Sequence, residues 1–171
     1  MAAAPAAPPA LAPWPAELDR KLHLLRTLPG RARAAVAGLT PAQLDEPLRS
    51  GGWNSRQVVH HIANAHMHAY LRAKMLLVEE RAVIKPWDQD VWEAMPDELC
   101  GGVEASLAIL DGVHERLATL FETVKPEQWG RTAFHPEYNR LVSLRDLLDN
   151  YSGHGAHHVA AIESFRRAKG W

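Results

Sequence analysis

Along the final stretch of the chain, apolar side chains recur every three or four residues: Leu144, Leu147, Leu148, Tyr151, Val159, Ile162 and Phe165 share one line of a helix that the spacing predicts over Ser143–Lys169. A stripe of about seven turns has to be covered by other helices, because its stability comes from burying that face. His154 and His158 fall inside the apolar sector and His157 outside it. A second such helix is predicted over Ser55–Glu80, where Val58, Ile62, Ala65, Ala69 and Leu76 lie within roughly 40° of one line. His61 sits about 60° round from that line, bordering the core, with His68 and Arg72 along the same edge. His60 falls almost opposite and is expected in solvent.

A lone buried histidine is more often a satisfied core residue than a ligand. Two imidazoles one turn apart on an apolar face are different, since they leave several ring nitrogens to satisfy where water is scarce. The i, i+4 spacing can aim both rings at one metal ion, and His61 is the third candidate ligand. His66, His68 and His157 are read as flanking or supporting residues. His23 and His114 are expected to face solvent, and His135, just before Pro136, to lie in a loop. Three neutral imidazoles would leave a divalent ion its full charge, enough in the case of zinc to bring the pKa of a bound water down to about 7. Either hydrolysis or attack by an ionised thiol would then be accessible.

Helix signals dominate the rest of the chain. A first helix is expected from Glu17 to about Val36, broken or kinked at Pro29-Gly30. Thr40-Pro41 reads as an N-cap with proline at the first helical position, giving a short turn through Leu44. Ser55 is the expected cap of the helix bearing His61. Residues Arg81–Gly102 form a long crossover with a possible turn at Gln89–Ala94, long enough to carry the chain from one end of a bundle to the other. A further helix over Val103–Val124 offers Leu107, Leu110, Val113, Leu117, Leu120 and Phe121 to the core. An irregular hairpin is expected over Arg131–Val142, and Ser143 with Asp146 resembles a capping box. Lys125-Pro126-Glu127-Gln128 faintly echoes Thr40-Pro41-Ala42-Gln43. The architecture expected is all-α, with four main helices around one core. Gly153 and Gly155 flank His154 in mid-helix, where each costs about 0.5–1 kcal/mol relative to alanine. They either admit a close neighbour or are simply tolerated.

At 171 residues the chain is the size of one domain, expected over residues 16–171 after an Ala/Pro-rich, disordered tail at 1–15. With 19 basic against 20 acidic residues it lacks the excess of positive charge that a nucleic-acid binder needs. The single cysteine, Cys100, excludes an internal disulfide and is read as an ordinary free thiol in a reducing compartment. Neither a signal peptide nor a membrane span is apparent, so a cytoplasmic protein is expected.

The run Gly52-Trp53-Asn54-Ser55-Arg56-Gln57-Val58-Val59-His60-His61-Ile62-Ala63-Asn64-Ala65-His66-Met67 closely resembles the motif of the YfiT-like branch of the DinB-like superfamily. Lys85-Pro86-Trp87-Asp88, His135-Pro136-Glu137 and the closing Tyr151-Ser152-Gly153-His154-Gly155-Ala156-His157-His158-Val159-Ala160-Ala161-Ile162 are similar to it too, so the resemblance spans nearly the whole chain after the tail. Asn54 stands where threonine or serine is more usual. The resemblance implies a four-helix bundle with a long crossover, and metal ligands at His61, His154 and His158, the same three that the face argument selects. It implies candidate metal-dependent hydrolases, with thiol-dependent transferases or isomerases in the wider superfamily, and homodimers among the relatives.

The reading that follows is a metal-dependent enzyme acting on small molecules, either a hydrolase or a thiol S-transferase of the bacillithiol type. One divalent metal per chain is expected, zinc first and nickel next, with a low-molecular-weight thiol as a possible cosubstrate. Asn64, His68, Arg72 and Tyr151 are the candidate pocket residues, Arg72 as a fork for a carboxylate. No catalytic residue is assigned beyond the ligands. The alternative is a non-catalytic, metal-stabilised ligand-binding or stress-response bundle.

Overall fold

Helices in this chain start where a side chain can satisfy their first free N–H groups. The computed structural model describes residues 15–171. The Ala/Pro-rich segment 1–14 lies outside the described residues, and Pro15, expected at the end of the tail, instead opens α1 (Pro15–Val36). That helix is continuous through Pro29. Thr40 and Gln43 form a reciprocal capping box ahead of the one-turn α2 (Pro41–Leu44). Asn54 and Gln57 do the same for α3 (Ser55–Val78), so the cap is Asn54 and not Ser55, which is the first helical residue. Asparagine accepts the Gln57 N–H at 2.8 Å.

The crossover is more structured than its sequence suggests. It holds the two-residue strand β1 (Ala82–Val83) and two short helices, α4 (Gln89–Glu93), N-capped by Asp88, and α5 (Pro96–Cys100). Then come α6 (Val103–Glu122), a 3-10 turn over Pro126–Gln128, the strands β2 (Thr132–His135) and β3 (Arg140–Ser143), and α7 (Leu144–Lys169), opened by the Ser143–Asp146 capping box. The expected hairpin is therefore a sheet of order β1-β2-β3, with β1 parallel and β3 antiparallel to β2. His135 ends a strand and is buried, not in a loop. The echo between Thr40 and Lys125 is a shared local device, since the glutamine three residues on accepts the backbone N–H of each (2.8 and 2.9 Å).

α1, α6, α3 and α7 pack as a ring, each against the next, and α4 and α5 lie on α3. The apolar interior falls into two clusters, one including Leu25, Leu76, Leu117, Phe121 and Leu148, the other Leu28, Ile62, Leu110, Val159 and Ile162. His114 on α6 and His154 on α7 fall between residues of the two clusters, and His66, stacked on the first and 3.3 Å from the second, links them.

Two solvent expectations are overturned. His60 is buried, its Nδ1 2.7 Å from Ser106 Oγ and its Nε2 3.3 Å from the Gly101 carbonyl, because the crossover covers the outer face of α3. His114 is buried too, since it continues the line Leu107, Leu110, Leu117 and Phe121 at a spacing of three and four, which Val113 leaves. Its Nδ1 lies 2.6 Å from the Leu25 carbonyl. Proline 29 has no N–H to offer that carbonyl, and the imidazole supplies the missing donor. His23 is exposed, as expected, and His157, read as a flanking residue, is exposed as well.

The two glycines beside His154 now separate. A Cβ on Gly155 would come within 2.1 Å of Leu28 Cδ2 on α1, whereas one on Gly153 would meet nothing within 4 Å. Leu28 is itself buried and has little room to turn. Gly155→Ala is expected to destabilise the protein by about 1–3 kcal/mol through overpacking, and Gly153→Ala to stabilise it by about 0.5–1 kcal/mol. Urea midpoints of the two variants check the pair, and equal shifts would contradict the close approach.

Candidate metal centre

His61 from α3 and His154 and His158 from α7 meet on the inner faces of two packed helices. One ring nitrogen from each lies within 4.8 Å of the other two. His61 Nε2 and His154 Nε2 are 3.3 Å apart, and His158 packs against both rings at centroid distances of 4.8 and 4.7 Å. Zinc–nitrogen bonds of about 2.0–2.1 Å in tetrahedral geometry put neighbouring ligand atoms roughly 3.3–3.4 Å apart, so the first pair already spans one edge of such a site. The donor set of three imidazoles would fit a divalent ion.

Burial holds all three imidazoles in the neutral form that a metal requires. It lowers His61 and His158 to a pKa of about 4 and His154 to about 3, with repulsion from the neighbouring rings adding to the effect on the two α7 residues. Their outer nitrogens face different partners. His154 Nδ1 lies 3.3 Å from Nε2 of His66, a fully buried residue that also stacks on His114 at 4.6 Å. His61 Nδ1 lies 3.6 Å from Glu93 Oε1. Glu93 is wholly buried, and burial, followed by the nearby charge of Glu98, raises its carboxyl to a pKa of about 8.

A cavity of about 720 Å³ opens onto His61 and His154. Its walls include Arg72, Trp87, Asp90, His135, Arg140 and Tyr151. Arg72 Nη1 donates to the Tyr151 hydroxyl (2.8 Å) and Nη2 to the Lys85 carbonyl (3.3 Å), which fixes the guanidinium at the wall. Burial raises the Tyr151 pKa, so its hydroxyl keeps its proton at neutral pH. Trp53 packs on the His61 ring at 4.7 Å, and Trp87 stacks beside it at 5.8 Å.

Of the four candidate pocket residues, Arg72 and Tyr151 line the cavity; Asn64 and His68 do not. Asn64 donates to Glu98 Oε1 (2.8 Å) and ties α5 to α3, while His68 stacks behind Trp87 at 5.1 Å and supports the wall. Sequence reasoning misses Glu93 and the wall residues Asp90 and Arg140, because the crossover and the sheet reach the site only in three dimensions. The Lys85-Pro86-Trp87-Asp88 motif was the one available signal for the crossover wall.

Fold and site together define a helical-bundle protein with an inward-facing three-histidine cluster, two of whose members, His61 and His154, line a polar cavity. The DinB superfamily profile matches residues 24–162. The chain is 37% identical over 153 residues to YfiT of Bacillus subtilis, a candidate metal-dependent hydrolase, covering 90% of this chain and 86% of that one. It is 42% identical over 147 residues to another candidate metal-dependent hydrolase from Geobacillus thermodenitrificans, covering 86% and 83%. The solved structure of Bacillus subtilis YfiT, described as having an unusual four-helix bundle topology, superposes with a TM-score of 0.90 at 35% identity over 96% of this chain and 94% of that one. The protein belongs to the DinB superfamily, among its YfiT-like members.

Proposed function

We propose that His61, His154 and His158 hold one divalent metal ion, zinc before nickel, and that the protein is a metal-dependent hydrolase acting on small molecules. The observation that carries this reading is the convergence of three neutral imidazoles, with one nitrogen pair at 3.3 Å, two of them lining the cavity. The names of the relatives support the hydrolase class. A bound dication supplies Lewis acidity and activates whatever fills its open position. The chain's own residues do the rest. Arg72, steadied by Tyr151 and Lys85, keeps an N–H on each terminal nitrogen for an anionic group. Tyr151 accepts from Arg72 and can donate its own proton to a substrate oxygen. Trp53 and Trp87 exclude water from one side of His61.

Transfer of a low-molecular-weight thiol of the bacillithiol type is the second reading, favoured by Arg72 as an anchor for a thiol that carries a carboxylate. The metal-loaded protein, assayed with activated esters and amides and separately with thiols plus an electrophile, tests both. Hydrolysis without thiol supports the first reading and turnover only with thiol the second. No turnover in either, with metal bound, returns the protein to a ligand-binding bundle stabilised by its ion. Arg72→Ala is expected to raise KM for the anionic partner by about tenfold or more, in line with the loss of one charged hydrogen bond, and an unchanged KM removes the anchor.

A further inference from the structure

Glu93 is the last residue of α4, and that short helix is pinned at both ends. Asp88 accepts from the N–H groups of Asp90 and Val91 (3.1 and 3.2 Å), and Gln57, in the first turn of α3, donates to the Glu93 carbonyl (2.7 Å). The side chain is held inward and has no exposure to water. Among the described residues neither of its carboxyl oxygens has a hydrogen-bond partner, and neither does His61 Nδ1, 3.6 Å from Oε1. The Asn64 amide donates to Glu98 Oε1 (2.8 Å) and offers Glu93 only a partial compensation that burial outweighs. Hiding an unpartnered carboxyl from water is costly, and such a group is expected only where something else compensates it.

His61 presents its two nitrogens in different directions. Nε2 faces His154 Nε2 across the cluster, and Nδ1 faces Glu93. A metal on Nε2 obliges the ring proton to sit on Nδ1, where the carboxyl group is the one acceptor at hand. We propose that Glu93 is a positioning residue of the metal centre, accepting the Nδ1–H of His61 and fixing the tautomer that leaves Nε2 bare.

This inference rests on the three-histidine reading and goes beyond it. It predicts opposite effects of one substitution on two properties. In Glu93→Gln and Glu93→Leu, the metal-free protein should melt at or above the parent's temperature, because an unpartnered buried acid has been removed. The same variants should bind zinc about 10–100-fold more weakly than the parent, the usual loss on removing an outer partner of a ligating histidine. A residue with a merely structural role would instead lower the melting temperature and leave the affinity alone. The experiment is a competition titration of zinc against a chromophoric chelator, with melting curves of the metal-free proteins and nitrogen-detected NMR of the His61 tautomer in the zinc-loaded parent and variants. Weakened Kd with undiminished melting temperature, and an upfield move of the His61 Nδ1–H resonance in Glu93→Leu as its hydrogen bond is lost, is the result expected. A Kd within twofold of the parent's overturns the role of Glu93 alone, provided the parent binds zinc and His158→Ala does not. A parent that binds no zinc overturns the three-histidine reading and this inference with it.

Discussion

The His158→Ala protein is expected to emerge from purification without metal while its parent carries about one ion per chain, as a single three-histidine site requires. The fall in affinity should exceed the roughly 100-fold that loss of a supporting partner causes, because a primary bond disappears and two imidazoles cannot hold a dication against water. Activity should fall with occupancy. The adjacent His157→Ala supplies the control, since its side chain is exposed and outside the cluster. His60→Ala is a sharper one. It removes an imidazole next to His61 that bonds Ser106 and the Gly101 carbonyl, so it should cost stability while leaving metal content unchanged. Elemental analysis of the four proteins decides the matter, and equal metal in parent and His158→Ala would end the ligand assignment.

Acid should be unusually damaging to the metal-free form. Burial lowers His114 and His61 to about 4, His158 to about 4 and His154 to about 3, whereas in the unfolded chain each titrates near 6.5. Between those values the unfolded state binds protons that the folded state refuses, so stability is fully present above about pH 6.5 and drains away as pH falls towards 4. His114 alone accounts for about 3 kcal/mol at the acid end, a large part of the 5–15 kcal/mol typical of a domain. Glu93 acts with the opposite sign. Its carboxyl, raised to about 8, favours the folded state below about pH 4.5 and loses that contribution as pH rises through 8. Four histidines outweigh it on the acid side. Bound metal should move the acid midpoint downward, because it binds the folded state only. Urea midpoints at pH 7 and pH 5, with and without metal, check this, and a flat profile for the metal-free protein would refute it.

How much of this was legible in the chain depends on what each residue's fate requires. The stripes of α3 and α7 are local facts, and they suffice to place Ile62 and Ile162 in the core and to bring His61, His154 and His158 to one point. The caps at Thr40 and Ser143 are equally local. His114 was legible as well, since three- and four-residue steps from Leu110 to Leu117 pass through it. His60 was not. Periodicity finds the inner face of a helix but is silent about what covers the rest, where Gly101 of the crossover and Ser106 of α6 receive this imidazole. Glu93 was hidden for the same reason, on a five-residue helix whose position is decided by Gln57 and Asp88 rather than by its own pattern. Nor can a two-residue strand such as β1 declare itself, because alternation needs more residues than it has.

Helix α1 illustrates a different dependence. Proline 29 leaves the Leu25 carbonyl without its donor, and His114 of α6 provides one. At the C-terminal turn Arg166 of α7 donates to the Ala34 and Ala35 carbonyls (3.2 and 2.9 Å), the former bonded within the chain only by a long contact from the Ala37 N–H (3.4 Å). Helix α1 therefore cannot finish itself. Its backbone ladder is completed by two segments made much later, which ties the order of assembly to docking: α1 as an isolated peptide should fray on both sides of Pro29, and its full helicity should appear only with the bundle.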